Sequence, residues 1–328
     1  MCTMEPFMKI HPLPIDYAWG VLPAFYFYLT GLSAASFVIS TLANVFGMVK
    51  FKAVGRIGAV LAPLCLVLAP ATLILDLESP WRFWYLLRYN FFPHFHPASP
   101  MAFGTWLLSI YPLEAIVYAY FLFTGNQKMA KLFGLIGIPL AISVHGYTGF
   151  VLAVVPGKHL WNTALMPFLF LISAMVSGYA LVILVSIVKE RFISNSRWLK
   201  ERYPQHLKLF NHFFPTIEAE VISDLTKHLI GFIALDLFLI FSDVIVMLVA
   251  TEESYHTVMS LLAGRFAFLF LGVEILMGAL IPLFLLTYSR TKGVLQWQAL
   301  SSVLVLIGIM TMRYIVIIGG QSFPVQLI

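Results

Sequence analysis

Charge is scarce in this chain: only 11% of its 328 residues are Asp, Glu, Lys or Arg, while 60% are hydrophobic. A soluble domain carries about a quarter charged residues, so a water-soluble globule is excluded. Cysteine is scarcer still. Cys2 and Cys65 are too few for an iron–sulfur cluster, which needs about four thiolates, and they lack zinc-type spacing. Any metal centre must then belong to a partner. There is no Gly-rich phosphate loop, nucleotide-binding motif, low-complexity tract or internal repeat, which argues against ATP-driven transport by this protein. The opening segment MCTMEPFMKIHPLPIDYAWG carries acid, Pro and His instead of a positively charged n-region, so it does not resemble a signal peptide. Cys2 lacks the preceding hydrophobic leader that lipidation would need.

What the sequence does have is long apolar runs. Crossing about 30 Å of hydrocarbon takes roughly 20 helical residues. Eight runs qualify, near 21–47, 57–77, 100–123, 132–155, 162–188, 226–250, 257–288 and 294–318. They are hydrophobic all round and contain Gly, Pro and Ser, as a membrane helix bundle tolerates and a β-barrel of short alternating strands does not. The expected fold is therefore all-α and integral to a membrane, with eight transmembrane helices in one domain over 1–328. The mixed-charge segment 189–225 is expected to be a cytoplasmic connection, with an interfacial helix and a Pro-broken turn.

Basic residues set the orientation. Lys50, Lys52, Arg56, Lys128, Lys131, Arg290, Lys292 and the run from Lys189 to Lys208 fall in alternate loops, which should be cytoplasmic, leaving both termini on the outer (periplasmic) side. The net charge of +5 thus reflects topology and not nucleic-acid binding.

Nine histidines invite a test for haem. His145 falls in the outer half of the fourth run and His228 at the inner end of the sixth, while the others fall in loops or at borders. A bis-histidine haem needs two ligands at matching depth, so no haem is expected. The ionisable residues inside the runs are Glu114, His145, Asp236, Asp243, Arg265, Glu274 and Arg313, each expected to face the bundle interior. Asp236 and Asp243 are seven apart and share a helix face, separated by about 10 Å that water can bridge. They are candidates for a proton path; the competing reading is a structural ion pair, such as Glu274 or Asp243 with Arg265.

One stretch concentrates polar and aromatic residues between apolar runs: DLESPWRFWYLLRYNFFPHFHPASPMAFGTW, Asp76 to Trp106. An interfacial aromatic belt would account for part of it. Its pieces LESPWRFWYLL and FHPASPMAFGTW resemble the loop between the second and third helices of the NrfD family, the membrane subunits of polysulfide reductase and related respiratory complexes. Trp19 before YFYLTGLSAAS, GYTGFVLAV from Gly146, LWNTALMPFLF from Leu160 and MRYIVIIGGQ from Met312 agree with the same family, so the resemblance spans most of the sequence.

The resemblance implies a cofactor-poor, multi-pass subunit in a prokaryotic cytoplasmic (inner) membrane. Such a subunit exchanges electrons between menaquinone or ubiquinone and a ferredoxin-like iron–sulfur subunit on the outer face. A catalytic subunit, in this family often a molybdopterin enzyme, completes the complex. Proton translocation, the direction of electron flow and the terminal substrate stay open. It also implies a quinone pocket at the outer ends of spans one and four, with Tyr26 and Tyr147 as contacts and Trp19 and Trp161 nearby. Tyr26 stands where the family has a quinone-contacting histidine, and a phenol is a poorer proton acceptor than imidazole. His145, His96 and Asp76 are the alternatives for that role, although His145 and Tyr147 point about 200° apart on a helix. Asp76, Glu78 and Arg82 match the family's acidic and basic positions after span two, as a proton route or a supporting network with Glu114, Asp236, Asp243 and Glu274. Glu78 and Arg82 would form an ordinary ion pair if their segment were helical. Ser99, Pro100 and Gly104 are expected to shape the start of span three. An ion-coupled transporter and a purely structural anchor are the competing functions; the first would call for inverted repeats and broken helices.

Overall fold

The computed structural model describes residues 19–90, 100–194 and 196–322, and these are helical with short connections. The helices are α1 (Leu22–Asn44), α2 (Lys52–Asp76), α3 (Trp84–Asn90), α4 (Pro100–Thr124), α5 (Gln127–Ala153), α6 (Met166–Val188), α7 (Arg197–Arg202), α8 (Pro204–Phe213), α9 (Ala219–Ala250), α10 (Glu252–Leu262), α11 (Ile281–Thr287), α12 (Leu295–Tyr314) and α13 (Gly320–Ser322). Wider π-helical turns continue three of them: Lys189–Ser194 after α6, Phe268–Leu280 before α11 and Ile315–Gly319 after α12. Eight of the resulting rods are long and apolar enough to cross a membrane. Pro63 and Pro70 in α2, Pro112 in α4 and Pro139 in α5 sit inside these rods, where neighbouring helices can satisfy the freed backbone groups. The chain is thus an all-helical, multi-pass membrane protein.

Sequence punctuation explains several boundaries. Pro23, Pro167 and Pro204 open α1, α6 and α8, where a missing N–H costs nothing. Gly125, at φ +82°, takes the left-handed conformation that lets α4 turn into α5 within two residues. Asn126 then caps α5, its Oδ1 accepting the Met129 N–H at 3.3 Å.

Three expectations need correction. The apolar run 257–288 is not one span: α10 ends at Leu262, and the seventh span is Phe268–Thr287. Arg265 lies in the exposed turn between them, over the Phe266 ring, and so does not face the interior or pair with Glu274 or Asp243. The sixth span also begins earlier than expected, at Ala219. The preceding connection is tied down by Lys189, whose Nζ reaches Glu190 at 2.6 Å and the Pro215 carbonyl at 2.7 Å, and by Arg56, which donates to the His212 and Phe213 carbonyls at the end of α8.

The spans form two four-helix groups. In the first, α1 packs on α2 and α5, and α4 closes the ring against α2 and α5; in the second, α6, α9, the Phe268–Thr287 rod and α12 pack together. They meet where α6 lies against α1 and α5, and α12 against α1. Small residues permit the close crossings: a Cβ on Gly178 would collide with Ala35, and Gly278 and Gly308 bring two backbones into direct contact.

Candidate functional site

The site begins at the bundle end opposite the Lys- and Arg-rich loops. Here the first and last spans are locked together. The Trp19 N–H donates to Gln321 Oε1 at 2.9 Å, and Gln321 Nε2 donates back to the Trp19 carbonyl at 3.0 Å. The Trp19 ring stacks on Trp161, centroids 5.8 Å apart and planes 26° apart. Trp161 is buried and donates its indole N–H to the Val316 carbonyl at 2.6 Å, in the π-helical turn after α12. A Cβ at position 320 would overlap that indole, so Gly320 makes the arrangement possible. Lys158 donates to the Gln321 carbonyl at 3.2 Å, and burial holds its ammonium below the usual lysine range.

Tyr26 shares a core with this aromatic plug, and Tyr147 packs in the neighbouring one. Tyr26 is buried on α1 and tilted against Phe27, 5.1 Å between centroids. Tyr147 on α5 lays its phenol across Gly104 of α4, where any side chain would overlap the ring. Asp76, the last residue of α2, brings its carboxylate against Gly20, so the end of α2 meets the start of α1. Glu78 and Arg82 are exposed and do not pair with each other, because the chain leaves the helix at Asp76 and makes a tight 3₁₀ turn at Pro80–Arg82. Cys2, His11, His94, His96 and Ser99 lie outside the described residues.

His145 is not brought to Tyr147. It turns the other way, fully buried between α5, α6 and α12, with Nε2 2.7 Å from the Phe170 carbonyl. That carbonyl only accepts, so Nε2 carries the proton, and the Arg313 guanidinium 3.4 Å away is a close neighbour without a hydrogen bond to it. Arg313 instead donates to Ser173 Oγ at 2.6 Å and the Phe170 carbonyl at 3.2 Å, and lies 3.8 Å over the Phe170 ring. Asp236 and Glu274, both buried, share its field. Arg313 therefore takes the place expected of Arg265 as the interior cation. No ion pair within 4 Å among the described residues includes Arg313, so its charge acts on the two carboxyl groups at longer range.

Asp243, two turns along α9 from Asp236, accepts the Thr163 hydroxyl at 2.8 Å. Between Asp243 and Glu274 the second group holds a partly open cavity of about 50 Å³, lined by Met166, Leu169, Ile240, Phe270 and Met312. Glu114 stands apart, in the first group, beside Phe37 and Gly137. Among the described residues no three His, Cys, Asp or Glu are grouped to hold a metal ion.

Gln321, Thr163, Ser173 and Phe170 were not legible as site residues, since each acts through one hydrogen-bonding atom or ring face brought by a distant span. Gln321 ends MRYIVIIGGQ, and Thr163 and Phe170 lie in LWNTALMPFLF, but nothing in those segments singled them out.

Comparison with known proteins bears on this geometry. The sequence is 27% identical to the C subunit of selenate reductase from Mesobacillus selenatarsenatis, over 97% of this chain and 77% of that protein. It is 27% identical to the C component of polysulfide reductase from Wolinella succinogenes, over 93% and 95% respectively. A shorter match, 30% identical, relates 54% of the sequence to 43% of the Hdr-like menaquinol oxidoreductase integral membrane subunit of Archaeoglobus fulgidus. The family model described as polysulphide reductase, NrfD, matches residues 12–202 and 205–325. Eight membrane-length helices, their site-building ends and a match over nearly the whole sequence thus agree, and the chain belongs to the polysulphide reductase NrfD family.

Proposed function

We propose that this protein is the quinone-reactive membrane subunit of a respiratory oxidoreductase. It exchanges electrons between a quinone, menaquinone or ubiquinone, and an iron–sulfur subunit docked on the outer face, with a catalytic subunit beyond. The membrane is the prokaryotic cytoplasmic membrane, with both chain ends outward. Supporting that orientation, the basic loops gather at one bundle end, where Lys50 of the first connection reaches Asp224 of the sixth span at 2.7 Å. The name of the Archaeoglobus relative, a menaquinol oxidoreductase subunit, favours menaquinone.

The observation that carries the reading is the tyrosine pair. Supporting it, Tyr26 packs in the core that holds Trp161 with Trp19 against it, Tyr147 lies over Gly104 of α4, and Asp76 ends α2 beside Gly20. A quinone headgroup offers a flat apolar ring with a carbonyl oxygen on each side, and the residues present fit it: aromatic faces for the ring and two phenols as hydrogen-bond donors. When bound, quinone supplies a two-electron, two-proton couple. Tyr26 and Tyr147 orient it by donating O–H groups. Asp76, at the membrane edge, is the group that exchanges protons with solvent, since a carboxylate accepts a proton far more readily near neutral pH than a phenolic oxygen does. The Arg313 group, including His145, Asp236 and Glu274, holds the two helix groups in register behind the pocket.

Titration of the purified complex with a fluorescent quinol analogue tests this. Tyr147→Phe is expected to weaken binding about tenfold, the value of one hydrogen bond to a neutral partner, and Asp76→Asn to slow turnover with binding kept. Unchanged binding and turnover in both variants, or no quinol binding by the wild type, would leave a structural anchor as the better description.

A further inference from the structure

The connection between the fifth and sixth spans carries a surface that the outer-end site does not use. From Arg191 to His212 the sequence has five Lys or Arg residues and one acid, Glu201, with Phe, Trp and Tyr interspersed. The fold gathers part of this charge. α7 and α8 are separated only by Tyr203, and between them opens a cleft of about 560 Å³, lined by Lys200 of α7 and by Pro204, Leu207, Lys208, Asn211 and His212 of α8. Positions 204, 207, 208 and 211 recur at helical spacing, so one face of α8 forms a wall. Glu201 does not line the cleft, and among the described residues neither lysine is in an ion pair. Asn211 Oδ1 has no hydrogen-bond partner. Across α8 from the cleft Leu209 and Phe213 are exposed, and where α7 joins α8 the exposed Trp198 and Tyr203 rings meet edge to face, 5.8 Å between centroids.

Two unpaired ammonium groups in one cleft complement an anion. Exposed apolar side chains beside them narrow its chemistry: helices of this kind lie in the headgroup region of a bilayer, with lysines reaching phosphates and apolar side chains entering the acyl boundary. A soluble acidic protein would match the lysines and leave Trp198, Leu209 and Phe213 in water, whereas one phospholipid matches both. The chain geometry keeps the cleft at the membrane. Arg197, the start of α7, lies three residue steps beyond Ser194, where the fifth span ends, a reach of at most about 11 Å.

We propose that the cleft between α7 and α8 binds the headgroup of an anionic phospholipid from the leaflet on the basic-loop side, with Lys200 and Lys208 donating to one phosphate and the apolar side of α8 entering that leaflet. The site is independent of the quinone reading. It also differs from the general attraction of basic loops to an anionic surface, because two particular cations share one headgroup. Its position gives the lipid a structural effect. Arg56 of α2 grips the end of α8 through the His212 and Phe213 carbonyls, so a lipid seated against His212 braces the point where the first helix group holds the chain joining two spans of the second.

Native mass spectrometry of the intact complex in neutral detergent, titrated with short-chain phosphatidylglycerol or phosphatidylcholine, provides the test. The wild type should retain phosphatidylglycerol about tenfold or more over phosphatidylcholine. A lysine beside an anionic headgroup is worth about fivefold in affinity, so Lys200→Gln and Lys208→Gln should each weaken retention about fivefold and together about 25-fold, while Lys208→Arg keeps it. Arg290→Gln with Lys292→Gln, in another basic loop, should leave retention unchanged. Phosphatidylglycerol should also raise the thermal midpoint of the wild-type complex and not that of the double lysine variant. Equal retention of the two lipids, or equal losses from the two double variants, overturns the site. Release of the lipid by inorganic phosphate at the same concentration overturns it too, and assigns the cleft to a free anion.

Discussion

Gln321 and Trp19 are 302 residues apart in sequence, yet the Gln321 side chain both donates to and accepts from the Trp19 backbone, so the last span is fastened to the segment that precedes the first. Replacing Gln321 with Leu removes both bonds and leaves the Trp19 N–H and carbonyl without these partners. The expected loss is about 1–3 kcal/mol, read as a lower apparent Tm of the detergent-purified protein. Because Trp19 would no longer be held against Trp161, quinol-analogue affinity should fall as well. A variant with unchanged Tm would show that the ring stack alone holds the two ends.

Arg313 is the cation beside Asp236 and Glu274. Arg313→Met should destabilise by about 1–3 kcal/mol, since it removes the donors to Ser173 and Phe170 and the positive charge acting on two buried acids. Adding Asp236→Asn and Glu274→Gln to that variant should recover part of the loss. Equal stability of the single and triple variants would mean that Arg313 acts by packing on the Phe170 ring and not by charge.

Gly104 sits under the Tyr147 phenol, so Gly104→Val must displace that ring. The expected result is weaker quinol-analogue binding by about tenfold with the bundle still folded, and Tyr147→Ala added to Gly104→Val should cause no further loss. Additive losses would separate Gly104 from the tyrosine.

Gly278 and Gly308 touch backbone to backbone, and a methyl on either would overlap the other helix. Gly308→Ala is expected to cost about 1–3 kcal/mol by overpacking, seen in thermal unfolding. A neutral substitution would show that the two rods can separate freely.

Much of the fold was legible because a membrane imposes one dominant rule: each crossing must be long, apolar and helical. That rule located eight spans, and the boundaries went astray where it is weakest. Residues 257–288 read as one apolar run with Arg265 inside it, yet Gly264 and the exposed Arg265 break it into two helices. Residues with local chemical identity, such as Tyr26, Tyr147, Asp76 and Glu114, stood out as ionisable or polar groups in apolar runs or through the family resemblance. Their partners did not. Phe170 contributes a carbonyl to His145 and a ring face to Arg313, and nothing in an isolated Phe announces either. Helix phase did foretell that His145 and Tyr147 diverge, since residues two apart on a helix cannot share a face.

The Gly278–Gly308 crossing has a mechanical meaning. Where two helices meet through bare backbone, no side chains mesh like gear teeth, and the contact behaves as the rivet of a pair of scissors. Glu274 lies four residues from the rivet on one blade and Arg313 five residues from it on the other, both toward the same end, at lever arms of about 6 and 7.5 Å. A ten-degree opening would change their separation by about 1 Å and with it their Coulomb interaction, which falls inversely with distance. The charge balance at the centre of the protein is thus geared to the angle between its last two spans.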